Sequence, residues 1–254
     1  MLQNNLKNFL RFLRSQFLQI GNQKQCLVCR KSFLFFLSAG KQSNAFKKYK
    51  VIGAGHRKNV LCPECFSLDR SRLLFLFLTR HIDISNDRYK RILHVSPQHE
   101  FEDFFMTFKD KEYITIDIEP NKAMLEMDLC NLEFQSNYFD LIICNHVLEQ
   151  IVNEKLAIKE IFRVLKPEGK AIIQSPIAIN LQQTIEKREY ISKEERERVL
   201  GQSDMVRLYG LDYTKRFQDL GFVSEVIYQE NFLDLETRIK SGLNLLEPVY
   251  VFKK

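Results

Sequence analysis

The sequence lacks any apolar run that approaches the roughly 18 residues of a membrane-spanning helix. This absence argues against an integral membrane protein. The first 20 residues are interrupted by Lys7, Arg11 and Arg14 and contain no small-residue cleavage site, which argues against a secretory signal. We therefore expect a cytoplasmic protein. With 254 residues, of which 45% are hydrophobic, the chain can build one core of ordinary size and a smaller appendage.

Acidic residues are scarce in the first part of the chain. Residues 1–90 contain 17 Lys and Arg against 4 Asp and Glu, whereas residues 91–254 contain 21 against 28. The net charges are therefore +13 and −7, which add up to the +6 of the whole chain. This difference predicts two modules with different partners. The basic part is suited to nucleic acid, anionic lipid headgroups or an acidic glycan, unless it is a solvated surface without a specific anionic partner.

Four of the six cysteines stand in two CxxC pairs within the basic part. Cys26 and Cys29 form the first pair, Cys62 and Cys65 form the second, and 32 residues separate the pairs. Each pair can turn two thiolates toward one ion, and four sulfurs complete a tetrahedral zinc shell. We predict a structural zinc ion, because four Cys ligands leave no position for a catalytic water. The alternatives are disulfides, which are rare in the cytoplasm, and four thiols without metal, which would not favour paired spacing.

Two helical patterns flank these cysteines. Apolar residues recur at helical spacing in the first 23 residues, which predicts an amphipathic basic helix. Such a helix lies on a membrane surface, on its own domain or on a second subunit. The apolar run 72–79 predicts a helix that joins the zinc module to the main domain and packs on its sheet. Cys130 and Cys144 stand apart, and we interpret them as small core residues. The predicted units are the helix 1–23, the zinc-ribbon-like module with its connecting helix 24–88, and the main domain 89–254.

From residue 89 onward, strand and helix patterns alternate as in a doubly wound α/β sheet. The first two strands are predicted at residues 91–95 and 112–117. The second strand ends in Asp117, which stands 21 residues after Ser96 in the turn that follows the first strand. A ribose-binding carboxylate is expected about 20 residues after the first nucleotide-binding turn, and its two oxygens match two ribose hydroxyls. Asp117 is therefore our strongest candidate for a cofactor contact, and a solvated Asp at a strand end is the alternative.

Residues 139–176 form the most informative segment. An aliphatic run ends in Asn145 and His146, and an amphipathic helix, a Lys-Pro-Glu-Gly turn and a second aliphatic run follow. This order is typical of a βαβ unit whose strands are buried on both faces. The segment FDLIICNHVLEQ, followed by RVLKPEG, closely resembles the sequence around strands four and five of class I S-adenosylmethionine (SAM) dependent methyltransferases of the type 11-like group. The resemblance implies a seven-stranded Rossmann-like sheet, SAM as cofactor and direct methyl transfer to an oxygen, nitrogen or carbon nucleophile.

The same resemblance implies where the cofactor binds. Asp128 would accept a hydrogen bond from the adenine amino group, with Leu129 beside it, while Asn145 and His146 would line the methionine side. This placement is consistent with ligand binding outside the carboxyl ends of the strands in open α/β sheets. His146 could equally cap a helix or belong to the core. The complete set of implied cofactor-binding residues is His94, Ser96, Pro97, Asp117, Ile118, Asp128, Leu129, Asn145 and His146.

The turn after the first strand departs from the superfamily pattern. An acid followed by GxGxG is usual there, whereas residues 94–100 read HVSPQHE without a glycine. A Ser-Pro turn is stiffer and bulkier, so the pocket is either built differently or impaired. However, a narrower group of bacterial methyltransferase-like proteins, often found in glycan-related clusters, reads VLHxAPE at this point. That group also has CPxCxSxxRxR upstream, which residues 62–72 match. This resemblance covers about residues 24–230 and makes the missing glycines a family trait.

Members of the narrower group commonly have His where this chain has Gln150 and Met205, so two groups that could handle protons are absent. Arg207 and Tyr209 are candidates for binding an anionic or hydroxylated acceptor; the alternative is a structural ion pair and a place in the core. No spacing singles out a general base, and we predict no catalytic residue from the sequence.

Three functions are consistent with these patterns. The leading hypothesis is a SAM-dependent methyltransferase that acts on a small-molecule or glycan-linked acceptor. The second is an RNA methyltransferase whose basic zinc module binds nucleic acid. The third is a non-enzymatic binding protein that retained the fold, which the glycine-free turn and the absent histidines favour.

Overall fold

The computed structural model describes residues 21–186 and 192–254. The amphipathic helix expected at residues 1–23 lies almost entirely outside these ranges. Among the described residues, no helix has the length and apolar character needed to cross a membrane. The strands are β1 Lys24–Cys26, β2 Lys31–Phe33, β3 Leu37–Ala39, β4 Val51–Ile52, β5 Arg57–Leu61, β6 Arg91–Val95, β7 Glu112–Asp117, β8 Leu125–Glu126, β9 Phe139–Asn145, β10 Leu165–Gln174, β11 Ile177–Ala178, β12 Ile185–Glu186, β13 Arg207–Leu208, β14 Val223–Ile227 and β15 Val249–Lys253. The α-helices are α1 Asn44–Tyr49, α2 Asp69–Leu76, α3 Glu102–Met106, α4 Glu154–Val164, α5 Lys193–Leu200, α6 Tyr213–Gln218 and α7 Leu235–Lys240.

A seven-stranded sheet in the order β14-β15-β10-β9-β6-β7-β8 forms the centre of the main domain. Strands β6 to β10 are parallel to their neighbours among themselves, and β15 is antiparallel to both β10 and β14. β7 and β8 extend the sheet from β6 in one direction, and β9 and β10 extend it in the other. The strand order therefore reverses between β6 and β9. This arrangement confirms the doubly wound sheet, and ligands bind at such a reversal.

Helices cover both faces of the sheet, and alternate residues of each strand point to opposite faces. Leu93 and Ile142 pack on the face that carries α4 and α6. Ile92 and Leu141 pack on the other face, which carries α2 and α3. Burial of a Leu or Ile side chain contributes roughly 1.5–3 kcal/mol, so these two layers dominate the stability of the fold. The helix predicted at residues 72–79 is confirmed in position and packing: α2 ends at Leu76, and a π-helical turn, Phe77–His81, continues it.

The metal-binding module consists of short strands around the two CxxC turns. β1 pairs with β2 and β3 pairs with β5, in both cases antiparallel. The module also contacts the segment between β10 and α6, because β4 pairs antiparallel with β11. Phe46 of α1 packs there against Leu200 and Met205. Gly201 has φ +103 and lies so close to the Phe46 ring that a Cβ atom would overlap it, which requires glycine at this helix end.

Candidate functional site

A cavity of about 870 Å³ lies at the carboxyl ends of β6, β7 and β9. Its position is the topological reversal of the sheet, and its volume is that of an ordinary cofactor site. The lining includes seven of the nine predicted cofactor-binding residues: Ser96, Pro97, Asp117, Ile118, Asp128, Leu129 and His146. Residues far apart in sequence therefore meet in one place.

The turn after β6 is held against the end of β7. Ser96 Oγ donates a 2.7 Å hydrogen bond to Asp117 Oδ2, and the backbone N–H of Glu119 donates to Asp117 Oδ1 at 2.8 Å. Each carboxylate oxygen has a second lone pair that can accept a ribose hydroxyl. Ser96 adopts φ +48, so the left-handed bend forms here without glycine. Gln98 Nε2 braces the turn by donating to the Ser96 carbonyl oxygen at 3.0 Å.

Asp128 begins a second turn of the cavity wall. Its Oδ1 accepts a 2.8 Å hydrogen bond from the Cys130 backbone N–H, which fixes the carboxylate beside Leu129. A carboxylate is an acceptor, as an adenine amino group requires. The two carboxylates and the volume of the cavity therefore fit SAM, whose ribose hydroxyls and adenine amino group are hydrogen-bond donors.

His146 follows β9 and has φ +61, an uncommon backbone conformation for a residue with a side chain. Its ring Nδ1 lies 3.4 Å from Glu149 Oε1, and its side chain is 8% exposed. Burial and, to a smaller extent, the Arg70 charge lower the pKa of His146 to about 4, although Glu149 opposes the shift. The ring is therefore neutral at pH 7.

The side chains of His94 and Asn145 do not line the cavity. His94 lies on the opposite face of β6, where Nδ1 is 2.9 Å from the Tyr113 hydroxyl and the ring packs on Phe105. Complete burial lowers the pKa of His94 to about 3. Asn145 Nδ2 donates to Gln98 Oε1 at 3.3 Å and so joins the ends of β6 and β9. Both side chains therefore stabilise the strand ends that form the cavity and do not themselves face it.

Several cavity residues were not predicted. Leu156, an apolar residue of α4, is 41% exposed at the cavity, and Cys130, interpreted as a core residue, lines the wall. Asn153 caps α4 by accepting a hydrogen bond from the Leu156 backbone N–H at 3.4 Å. The other unpredicted lining residues are Val95, Glu119, Lys122, Met127, Val147, Gln150, Ile151 and Val152. Only their nearness to a predicted site residue along the chain could have indicated them.

The four cysteines of the CxxC pairs meet as predicted, with all four sulfur atoms within 4.8 Å of one another. The Sγ atoms of Cys26 and Cys65 are 3.6 Å apart, and those of Cys29 and Cys62 are 3.8 Å apart. Zn–S bonds of about 2.3 Å in a tetrahedron place sulfurs about 3.8 Å apart. The donor set and spacing are therefore those of a structural zinc site.

Two further residues support this cluster. Ser67 is fully buried, and its Oγ lies 3.2 Å from the sulfurs of both Cys26 and Cys65. Arg72 is also fully buried; its guanidinium donates to the carbonyl oxygens of Ser67, Ser241 and Val60 at 2.5–2.8 Å. Four thiolates and one Zn²⁺ carry two negative charges, which this buried cation partly offsets.

Arg207 and Tyr209 are structural. The Arg207 guanidinium is buried and donates to the carbonyl oxygens of Leu148 and Ile151, both at 2.5 Å. The Tyr209 hydroxyl donates to Glu154 at 2.6 Å, and Arg216 pairs with the same carboxylate. Since both side chains are buried and neither lines the cavity, the structural alternative describes them.

Residues 82–173 match a family described as a methyltransferase domain. No curated protein matches the chain significantly. A SAM-dependent methyltransferase from Archaeoglobus fulgidus is similar in structure, with 13% identity and a TM-score of 0.48 over 71% of this chain and 93% of that one.

Two other solved structures are similar to the same degree. The PH0226 protein from Pyrococcus horikoshii OT3 has 18% identity and a TM-score of 0.46 over 72% of this chain and 89% of its own. The YcgJ protein from Bacillus subtilis has 15% identity and a TM-score of 0.44 over 67% of this chain and 76% of its own.

Proposed function

We propose, from the premise that residues 82–173 are a SAM-dependent methyltransferase domain of the type 11-like family, that this chain methylates a small-molecule or glycan-linked acceptor. SAM supplies a sulfonium methyl group, which is already a strong electrophile. The main task of the chain is therefore to hold donor and acceptor in line for transfer. Asp117 and Asp128 would hold the ribose and the adenine.

The observation that carries the proposal is the single cavity into which Ser96, Asp117, Asp128 and His146 converge. The ends of β6, β7 and β9 contribute Ser96, Asp117 and His146, and the turn after β8 contributes Asp128. The Ser96–Asp117 hydrogen bond fixes the ends of β6 and β7 relative to each other. A carboxylate anchored in this way meets a ribose without further reorganisation, which favours affinity.

The direct test is calorimetric titration of the zinc-replete protein with S-adenosylhomocysteine. Binding with a micromolar dissociation constant is expected. A folded, zinc-containing protein that releases no heat would contradict the proposal.

Two features support a small or glycan-linked acceptor. The motif of residues 62–72 resembles that of the group found in glycan-related clusters. The zinc module also borders the cavity residue His146: a methyl group built on Gly53 would lie 3.3 Å from the His146 ring, and Arg70 donates to the Gly53 carbonyl oxygen at 3.2 Å. A module in this position bounds the space beside His146, which favours a compact acceptor. Transfer of label from radioactive SAM to a pool of sugars and sugar-linked lipids tests this class.

A second candidate acceptor is RNA, which two features of the basic module favour. Lys41, Lys47, Lys48 and Lys50 are exposed on or beside α1, and the rings of Phe35 and Phe66 are 42% and 47% exposed on the same module. Exposed lysines suit phosphates, and exposed rings suit stacked bases. A gel shift with single-stranded RNA that weakens steeply between 50 and 200 mM salt, as roughly expected for several phosphate contacts, would favour this acceptor.

A further inference from the structure

His146 lies where the cofactor cavity meets the zinc module. It lines the cavity, and its Cε1 approaches Gly53 of the module. Glu247 Oε1 would lie 3.2 Å from a methyl group at Gly53, so this carboxyl group borders the same space. Gly53 has φ +85, a conformation that also favours glycine. The imidazole is thereby enclosed between the carboxyl edge of the sheet and the module.

Glu149 holds the ring in one orientation. Its Oε1 is 3.4 Å from His146 Nδ1, and its Oε2 accepts a 3.0 Å hydrogen bond from Ser175 Oγ. Glu149 is itself buried, which restricts its movement. A carboxylate at Nδ1 favours the tautomer whose proton is on Nδ1, and it leaves Nε2 as the acceptor.

His146 Nε2 is buried and has no hydrogen-bond partner within the described part of the chain. Of the described residues that line the cavity, it alone has a buried, unpaired side-chain nitrogen. A buried polar atom of this kind costs roughly 1–3 kcal/mol, so its retention calls for a role. Catalytic hydrogen bonds are often completed only when the substrate binds.

We propose that His146 is a catalytic residue whose Nε2 accepts the proton of the methyl acceptor, and that Glu149 is the positioning residue that orients the ring. This inference rests on the proposed function. As the bond between the acceptor atom and the methyl carbon forms, the carbon–sulfur bond breaks and its electron pair stays on sulfur. The electron pair of the broken acceptor–hydrogen bond stays on the acceptor atom, and the proton moves to Nε2 and then to water. The acceptor class is therefore an alcohol or an amine that carries a proton on the attacking atom.

The test compares S-adenosylhomocysteine with sinefungin, an analogue that carries an ammonium group in the place of the transferred methyl. An ammonium near Nε2 donates a charge-assisted hydrogen bond, so the parent protein should bind sinefungin about tenfold more tightly than S-adenosylhomocysteine. Both dissociation constants are measured by calorimetry at pH 7.5.

The informative variant is His146→Asn, because Asn tolerates the left-handed backbone at this position and lacks the ring. It should lose the preference for sinefungin and keep its affinity for S-adenosylhomocysteine within about twofold, since only the ammonium contact is removed. Glu149→Gln should lower the preference severalfold, because the charge that supports the basicity of the ring is gone. His99→Asn, at a histidine whose side chain is 94% exposed, is the control and should keep the parent ratio.

Each other outcome overturns the inference in a recognisable way. A His146→Asn protein that keeps the tenfold preference shows that Nε2 does not face the transferred group, while the cofactor site stands. Equal weakening of both ligands shows a structural role for the ring. A folded parent protein that binds neither ligand removes the proposed function and the inference together.

Discussion

Ser96 donates its hydroxyl hydrogen to Asp117 across the carboxyl ends of two adjacent parallel strands, β6 and β7. The bond fixes the approach of the turn to the carboxylate, where the methyltransferases that the sequence resembles have a glycine-rich turn. The Ser96 backbone N–H also donates to the Ile116 carbonyl oxygen at 2.8 Å, so the turn extends the pairing of the two strands. Stiffness here comes from hydrogen bonds and not from small residues.

Asp117→Ala should abolish cofactor binding and leave the fold intact. Two ribose hydroxyls bound to one carboxylate contribute about 3 kcal/mol, so affinity for S-adenosylhomocysteine should fall by more than about 100-fold. Calorimetry measures the loss, and circular dichroism checks the fold. Asp219→Ala removes an exposed carboxylate that pairs with Lys215 and should bind as the parent does. An Asp117→Ala protein with parent affinity would contradict the assignment of the cavity.

Cys62→Ser should release the metal and loosen the N-terminal module. The Cys62 sulfur is fully buried in the four-cysteine cluster, and three remaining thiolates hold zinc far less well. Metal analysis should give about one zinc per chain for the parent and close to none for the variant. Cys130→Ser is the control, since this half-buried cysteine is not one of the four in the cluster. Full zinc occupancy in Cys62→Ser would refute the site.

Arg72→Met should destabilise the protein by about 3 kcal/mol, because three buried carbonyl oxygens lose their donor and the thiolates lose a nearby cation. Denaturant unfolding at pH 7.5 measures the change. Arg80→Met, at an exposed arginine in the π-helical turn after the same helix, should change stability by less than about 0.5 kcal/mol. Equal stabilities of the two variants would show that the buried guanidinium is dispensable.

Glu247→Gln should change how stability depends on pH. Burial raises the pKa of Glu247 to about 8, Asp69 adds to the shift, and Arg57 and Arg70 oppose it. The folded pKa lies above the unfolded value near 4.3, so the contribution of this group is fully present below pH 4 and is lost as pH rises toward 8.

The measurement is the difference in unfolding free energy between the parent and Glu247→Gln at pH 5 and pH 8.5. Relative to the variant, the parent should lose roughly 4 kcal/mol over this interval. The difference isolates Glu247 from the buried histidines, whose pKa values are lowered and whose effect on stability has the opposite sign. A difference that does not vary with pH would mean that Glu247 is ionised in the folded state at neutral pH.

The central strands could be predicted from the sequence because strands that are buried on both faces appear as continuous apolar runs. The first two strands, 91–95 and 112–117, occupy the predicted residues, since their apolar runs are continuous and end in turns. The cluster of the four cysteines could likewise be predicted, because CxxC spacing is typical of metal ligands. In both cases a short sequence pattern is enough to indicate one strand or one metal site.

Side-chain direction and short pairings were harder to predict. His94 stands two residues before Ser96, yet its ring turns into the core because alternation along β6 places it on the face of Ile92. Resemblance had grouped it with the cofactor residues. The two-residue pairing of β4 with β11 has no sequence pattern, because it depends on where two distant segments meet. His146 was identified, but its link to Glu149 follows only from the backbone turn at φ +61.

The pairing of Val51 and Ile52 with Ala178 and Ile177 has a consequence for how such a chain can change over generations. The metal-binding module and the main domain each supply one strand of this two-stranded sheet, and the Phe46 ring packs against Gly201. Replacement of either part by that of a related protein would succeed only where the two strands still paired. The two parts are thus inherited together, and substitutions in one should be followed by compensating substitutions in the other.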